Sequence, residues 1–218
     1  MACKSVPEQI LMLSTYRENA AERLALGIPP LPLEASQAKA LTELLENPPS
    51  GEEQELLHLL IERIPPGVDE AAYVKATWLS AIAQGQASSP LVSPLEATRL
   101  LGTMVGGYNV AALIELLQHS DTQLAGCAAE GLSRTLLVYD AFNEVMELAS
   151  SNRFAKQVVD SWAAAEWFTY SSVCGWLQMQ QRISHSHQPQ LIPMLRVISE
   201  QVKQLLKQLE VEPSAFGL

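Results

Sequence analysis

Clusters of proline and glycine divide this chain into short segments, and each segment carries the periodicity of an amphipathic helix. The breaks are "GIPPLPL", "NPPSG" and "IPPG". Between them, in "EASQAKALTELLE" and "EEQELLHLLIER", leucines recur every three or four residues, as they do on one face of a helix. Each proline also pushes the residue before it out of the α region. Since strand signals are nearly absent, the pattern predicts an all-α fold.

Start signals mark where several of these helices begin. Five polar residues stand where a side chain can accept hydrogen bonds from the first backbone N–H groups of a helix: Ser5, Asp69, Ser93, Asn109 and Asp121. The segment that Asp121 opens is predicted to stay helical through Leu148, and "SSN" separates it from "RFAKQVVDSWAAAEWF". About eight helices with short connections favour antiparallel neighbours. The absence of a strict repeat period predicts that any solenoid is irregular.

The charge is strongly acidic and unevenly distributed. The whole chain carries a net charge of −10, with 10 Lys and Arg against 21 Asp and Glu in residues 1–168 and 4 against 3 in residues 169–218. An acidic body repels phosphate backbones, so nucleic acid is an unexpected partner. The N-terminal sequence lacks the apolar core of a secretory signal, and no uncharged stretch is apolar enough to span a membrane. We therefore expect a cytoplasmic protein without a membrane partner.

Cysteine and histidine offer few candidate ligands. The three cysteines, Cys3, Cys127 and Cys174, are odd in number and widely spaced, which fits neither a disulfide framework nor a CxxC metal site. His185 and His187 lie eleven and thirteen residues after Cys174 in a glutamine-rich connector. They could hold a metal, but a fourth ligand is missing, and a solvated loop is the favoured interpretation. No metal and no cofactor are therefore predicted.

The stretch "LLGTMVGGYN" contains Gly102, Gly106 and Gly107, which interrupt helical sequence and admit two interpretations. A ligand loop would offer backbone N–H groups to an anion, but no phosphate-binding pattern and no adjacent Lys or Arg accompany it. The favoured interpretation is a hinge or interaction loop, in which Gly106 and Gly107 adopt positive φ. Tyr108 then packs and Asn109 caps the next helix.

The C-terminal segment predicts one more amphipathic helix, over about residues 189–210. Its apolar positions follow spacings of three and four residues, as in a heptad seam: Leu191, Leu195, Ile198, Val202, Leu205 and Leu209. A helix of this length needs a packing partner in water. The seam therefore either caps the helical body, which is the favoured alternative, or binds a second chain.

Five stretches of this sequence resemble one known family. They are "GIPPLPL", "NPPSGEE", "IPPGVDEAAYVKATWLSAIAQG", "LLGTMVGGYN" and "SWAAAEWF", and they resemble the N-terminal HEAT-like domain of bacterial aconitase B over about residues 11–168. The resemblance implies an all-α, HEAT-like irregular α-solenoid of paired antiparallel helices. In that family the domain packs beside catalytic domains, helps to form a substrate channel and takes part in self-association. The implied organisation is a HEAT-like domain at 1–168, a connector at 169–188 and the amphipathic helix with its tail at 189–218.

The same resemblance bears on activity. Family members hold a [4Fe–4S] cluster on three cysteines in later domains, two of them as a CxxC pair, whereas Cys3, Cys127 and Cys174 match none of these positions. No catalytic residue carries over. The expected function is a non-catalytic helical protein-interaction module that binds a protein partner or modulates an aconitase or its assembly. The candidate partners are an aconitase, another metabolic enzyme or a second copy of the chain. The alternative is a truncated aconitate hydratase remnant. The helical periodicity after residue 168 favours the module.

Overall fold

The computed structural model of the protein describes the backbone of residues 8–135 and 141–164, and every regular element in these ranges is helical. The helices are α1 (Glu8–Ala25), α2 (Ala35–Glu46), α3 (Glu53–His58), α4 (Glu70–Ala83), α5 (Pro94–Leu101), α6 (Val110–Leu116), α7 (Thr122–Ser133), α8 (Phe142–Ala149) and α9 (Arg153–Ala164). A π-helical turn, Leu59–Arg63, continues α3. The all-α prediction is confirmed for this part of the chain, and the HEAT-like arrangement stays a prediction. None of the described helices is long and apolar enough to cross a membrane.

Capping side chains begin three of these helices where the sequence predicts them. Asp69 Oδ1 accepts a hydrogen bond from the backbone N–H of residue 72 at 2.9 Å. Ser93 Oγ accepts one from the N–H of residue 96 at 3.2 Å, and Asp121 Oδ1 accepts one from that of residue 123 at 2.8 Å. Each bond satisfies a donor that has no partner inside the helix. Ser5 lies outside the described residues.

The predicted continuous helix from Asp121 through Leu148 is wrong. Helix α7 ends at Ser133, and α8 begins only at Phe142. The Thr135 hydroxyl donates to the carbonyl of Gly131 at 3.0 Å, which is the acceptor that the Thr135 N–H would use in a continuing helix. That N–H bonds instead to the Leu132 carbonyl, one residue closer. This tighter backbone bond replaces the i→i−4 bond at the end of α7, as is common in the last turn of a helix.

The described residues fall into two compact units, divided between Val138 and Tyr139. In the first unit, α2 packs on α4, α4 on α5, and α5 and α6 on α7. Its centre is filled by fully buried side chains, among them Leu41, Leu45, Leu79, Ile82, Leu101 and Leu113. In the second unit α8 packs on α9, with the rings of Phe142 and Trp162 6.4 Å apart.

The proline-rich connection between α1 and α2 has no regular secondary structure and is bound to the end of the π-helical turn that follows α3. The guanidinium group of Arg63 donates to the carbonyl oxygen of Pro30 and, at 3.0 Å, to the hydroxyl of Tyr16 on α1. The backbone N–H of Leu33 donates to the Arg63 carbonyl at 2.8 Å, and the Leu33 side chain is buried. One arginine therefore connects α1, the connection and α3.

Two glycines allow α5 and α7 to approach closely. A Cβ atom on Gly131 would lie 2.9 Å from the Cα of Gly102, and a Cβ on Gly102 would lie 3.0 Å from the Cα of Gly131. Real Cβ atoms do not come this near to a backbone atom, so the helices would have to separate to accept any side chain at either position. The end of α5 is therefore fixed against α7 by backbone contact.

Helix α4 carries a lysine in the interior. Lys75 is only 3% exposed, and among the described residues its ammonium group makes neither a hydrogen bond nor an ion pair. Burial lowers the pKa of Lys75 from 10.5 to about 8, and the carboxylate of Glu62 opposes this shift. Because the folded chain holds the proton less tightly than the unfolded chain, stability rises with pH between these two values and falls as pH drops through about 8.

Lys75→Met should raise the free energy of unfolding by about 1–3 kcal/mol near pH 7, because it removes an ammonium group whose charged form burial disfavours. The difference from wild type should shrink near pH 10, where the folded-state lysine is already neutral. Urea unfolding at both pH values measures this. Lys39→Met, at an exposed lysine of α2, is the control and should show no such pH-dependent gain. An equal effect of Lys75→Met at both pH values would contradict the lowered pKa of Lys75.

Candidate functional site

The connection between α5 and α6, residues 102–109, contains three glycines with three different structural roles. Gly102 permits the close contact with α7. A Cβ on Gly106 would lie only 1.9 Å from the carbonyl oxygen of Gly67, so the two backbones touch there. Gly107 has φ of +91°, a conformation that residues with side chains rarely adopt. The predicted positive φ is thus confirmed for Gly107 and wrong for Gly106, where close approach of another loop requires the glycine.

Hydrogen bonds hold this connection against the loop that precedes α4. The N–H of Val105 donates to the carbonyl of Pro66 at 2.9 Å. The hydroxyl of Tyr108 donates to the carbonyl of Val68 at 2.9 Å. The Tyr108 ring also contacts the ring of Tyr73 on α4 edge to face, with centroids 5.3 Å apart. Two loops distant in sequence therefore form one fixed surface.

Asn109 holds the connection from the inside. Its side chain is fully buried, and its Nδ2 atom donates to the carbonyl oxygens of Leu101 at 2.7 Å and Met104 at 3.2 Å. The predicted capping role is wrong, because the side chain makes no hydrogen bond to the first turn of α6. The amide nitrogen turns back toward the end of α5 and the loop after it, where it donates to two buried carbonyls, and the side chain is then not available to cap α6.

Four apolar side chains stand out from this surface, and we name them the two-loop face: Val68, Tyr73, Val105 and Tyr108. Their exposed fractions are 72%, 57%, 63% and 41%. Of these, sequence reasoning singled out only Tyr108. The available signal was a valine beside glycine in each of two loops, "PGVD" and "MVGG". The sequence could not indicate that the two loops meet.

The structure does not bring the other sequence candidates together. Cys127 is half-buried with a free thiol, and burial raises the pKa of that thiol. In the ranges 8–135 and 141–164 no three His, Cys, Asp or Glu side chains are grouped as metal ligands would be. Cys3, Cys174, His185 and His187 lie outside the described residues. The same holds for the predicted C-terminal seam, so its two interpretations stay open.

Comparison with known proteins identifies similar sequences over most of the chain. A family model described as the aconitate B N-terminal domain matches residues 15–168. The chain is 59% identical over 157 residues to aconitate hydratase B of Synechocystis sp. and 59% identical over 158 residues to that of Escherichia coli. It is 46% identical over 156 residues to that of Helicobacter pylori. Each match covers 72% of this chain but only 18% of the relative.

Asn109→Asp should lower the free energy of unfolding by about 2–3 kcal/mol, because a carboxylate oxygen would replace the donor that faces two carbonyl oxygens. The matched control is Asn19→Asp. Asn19 Nδ2 also donates to a backbone carbonyl, that of Thr15 at 3.0 Å, but on the exposed side of α1. The control should change stability by less than about 0.5 kcal/mol. Equal effects in chemical denaturation would show that Asn109 does not hold the connection.

Proposed function

We propose that this chain, which belongs to the aconitate B N-terminal domain family, is a non-catalytic helical module that binds a protein partner or modulates an aconitase or its assembly. The match over residues 15–168 carries the proposal. The relatives are named aconitate hydratase B, and the chain spans about a fifth of their length. A HEAT-like stacking of paired helices, which the family resemblance implies, suits a domain whose work is contact with other proteins.

The cysteines of this chain do not fit the iron–sulfur cluster of the family. A cluster ligand must be a thiolate, and burial raises the pKa of the Cys127 thiol, which disfavours that form. Cys3 and Cys174 are more than forty residues from Cys127 in the sequence, and no two of the three form a CxxC pair. We therefore derive no reaction step through a cluster on this chain.

The surface of the first unit supports a binding role. The two-loop face exposes valine and tyrosine side chains on a backbone that is fixed by hydrogen bonds and a glycine contact. Grouped exposed apolar side chains on a rigid backbone are typical of surfaces that bind other proteins. The net charge of −10 favours partners with basic surfaces and disfavours nucleic acid.

The purified chain should show no conversion of citrate to isocitrate after anaerobic iron–sulfur reconstitution. The reason is that the dehydration requires an open iron site and a base, and the cysteine set does not fit the cluster. Aconitate hydratase B of Escherichia coli, reconstituted in parallel, is the positive control. Turnover above the protein-free background, together with cluster absorbance, would contradict a non-catalytic role.

A tagged form of the chain should capture a metabolic enzyme, an aconitase foremost, from native lysate of its source organism. An unrelated all-α protein of similar net charge is the control bait, because it reproduces non-specific attraction of basic proteins. Mass spectrometry identifies what is retained, and the interaction is then repeated with the purified enzyme in size-exclusion chromatography. If the two baits retain the same proteins, or the purified enzyme does not co-elute, the proposed function is wrong.

A further inference from the structure

The two-loop face combines exposure with rigidity. Its valines stand on loops whose backbones touch at Gly67 and Gly106, and its two tyrosines contact each other edge to face. Three independent contacts hold the loops together: the Val105–Pro66 backbone bond, the Tyr108 hydroxyl bond to Val68, and the ring pair. A surface that is already ordered loses little conformational entropy when it binds, so even a small apolar area can contribute to affinity.

The two loops and the first turn of α4 carry charged side chains of one sign only. Residues 64–74 contain Asp69 and Glu70 and no Lys or Arg, and residues 100–114 contain no charged residue at all. One oxygen of Asp69 caps α4. Glu70 is exposed and, among the described residues, makes no hydrogen bond or ion pair. Lys75, the next basic residue along α4, is buried.

Glu70 and Tyr73 lie next to each other on the surface of α4. Positions three apart in a helix share a face, so Glu70 lies on the same face of α4 as Tyr73, whose ring pairs with that of Tyr108. A guanidinium group stacks on tyrosine rings and forms hydrogen bonds with a carboxylate at the same time. Val68 and Val105, which are more than half exposed, offer apolar area to an aliphatic side chain.

We propose that the two-loop face binds a protein segment in which an arginine or lysine stands beside aliphatic side chains. The cation contacts the tyrosine rings and the Glu70 carboxylate, and the aliphatic side chains cover Val68 and Val105. This assignment rests on the proposed function, since it identifies the chemistry of the partner. It assigns the binding role to four side chains of the two-loop face and to the Glu70 carboxylate.

Peptide titration of the full-length, ¹⁵N-labelled chain tests the assignment. The probe is acetyl-Ala-Leu-Arg-Leu-Ala-amide, and the same peptide with glutamate in place of arginine is its charge-reversed counterpart. The arginine peptide should shift the amide signals of residues 67–73 and 105–108 in a saturable manner. The glutamate peptide should bind about tenfold more weakly or not measurably, because like charges would face each other.

Matched variants separate the face from the rest of the surface. Val105→Ser and Glu70→Gln should each weaken binding of the arginine peptide by about three- to tenfold, because one removes apolar contact and the other removes the anion. Leu26→Ser and Glu18→Gln change equally exposed residue types on or after α1 and should leave the affinity unchanged. Thermal melting verifies that each variant folds. Val105→Thr replaces Val105→Ser if the serine variant does not fold.

Four results would overturn the assignment. These are equal binding of both peptides, saturable shifts confined to other regions, equal effects of the face and control variants, and the absence of any shift. Concentration-dependent shifts of the face without peptide, together with a doubled mass in light scattering, would instead assign the face to a second copy of the chain. If the chain captures a partner from lysate but the peptide titration fails, the proposed function stands and the assignment of the two-loop face is wrong. If the chain captures no partner, the proposed function is wrong.

Discussion

The arrangement of the candidate surface depends on the contact between Gly102 and Gly131. Because the two Cα atoms approach without intervening side chains, the last turn of α5 is fixed against α7. The chain then leaves α5 at a defined point, and Asn109 holds the next eight residues by donating to the Leu101 and Met104 carbonyls. From that position Gly106 reaches the backbone of Gly67. The exposed side chains of the two-loop face are therefore placed by backbone packing, not by their own contacts.

Sequence reasoning succeeded where the cause of a structure is local. The caps at Asp69, Ser93 and Asp121 follow from a polar side chain and the backbone two or three residues ahead. It failed where partners distant in sequence compete. Asn109 has the residue type of a cap, but its amide donates to the buried carbonyls of Leu101, at the end of α5, and Met104, in the loop after it. Gly106 has the residue type of a turn with positive φ, but the neighbouring loop determines the need for glycine.

The acidic segment at the start of α3 also has one local cause and one partner that is distant in sequence. Glu52 and Glu55 are explained from sequence by the favourable interaction of carboxylates with a helix N-terminus. The structure adds Arg17 of α1, which donates to both carboxylates across more than thirty residues of sequence. The hydrogen bond from Arg17 keeps the pKa of Glu55 below its usual range, and burial opposes this shift. Since the groups are partly exposed, the pairing orients α1 more than it stabilises the fold.

Two of the five stretches that carry the family resemblance, "IPPGVDEAAYVKATWLSAIAQG" and "LLGTMVGGYN", are the ones that meet in space. Packing accounts for Gly106, where a Cβ would clash with the Gly67 carbonyl, and backbone conformation accounts for Gly107, which adopts positive φ. The resemblance in these glycines therefore requires no ligand. Packing does not account for Val68 and Val105, whose side chains are mostly exposed to water. Their apolar character beside an unpaired carboxylate is the property that a basic, aliphatic partner segment would explain.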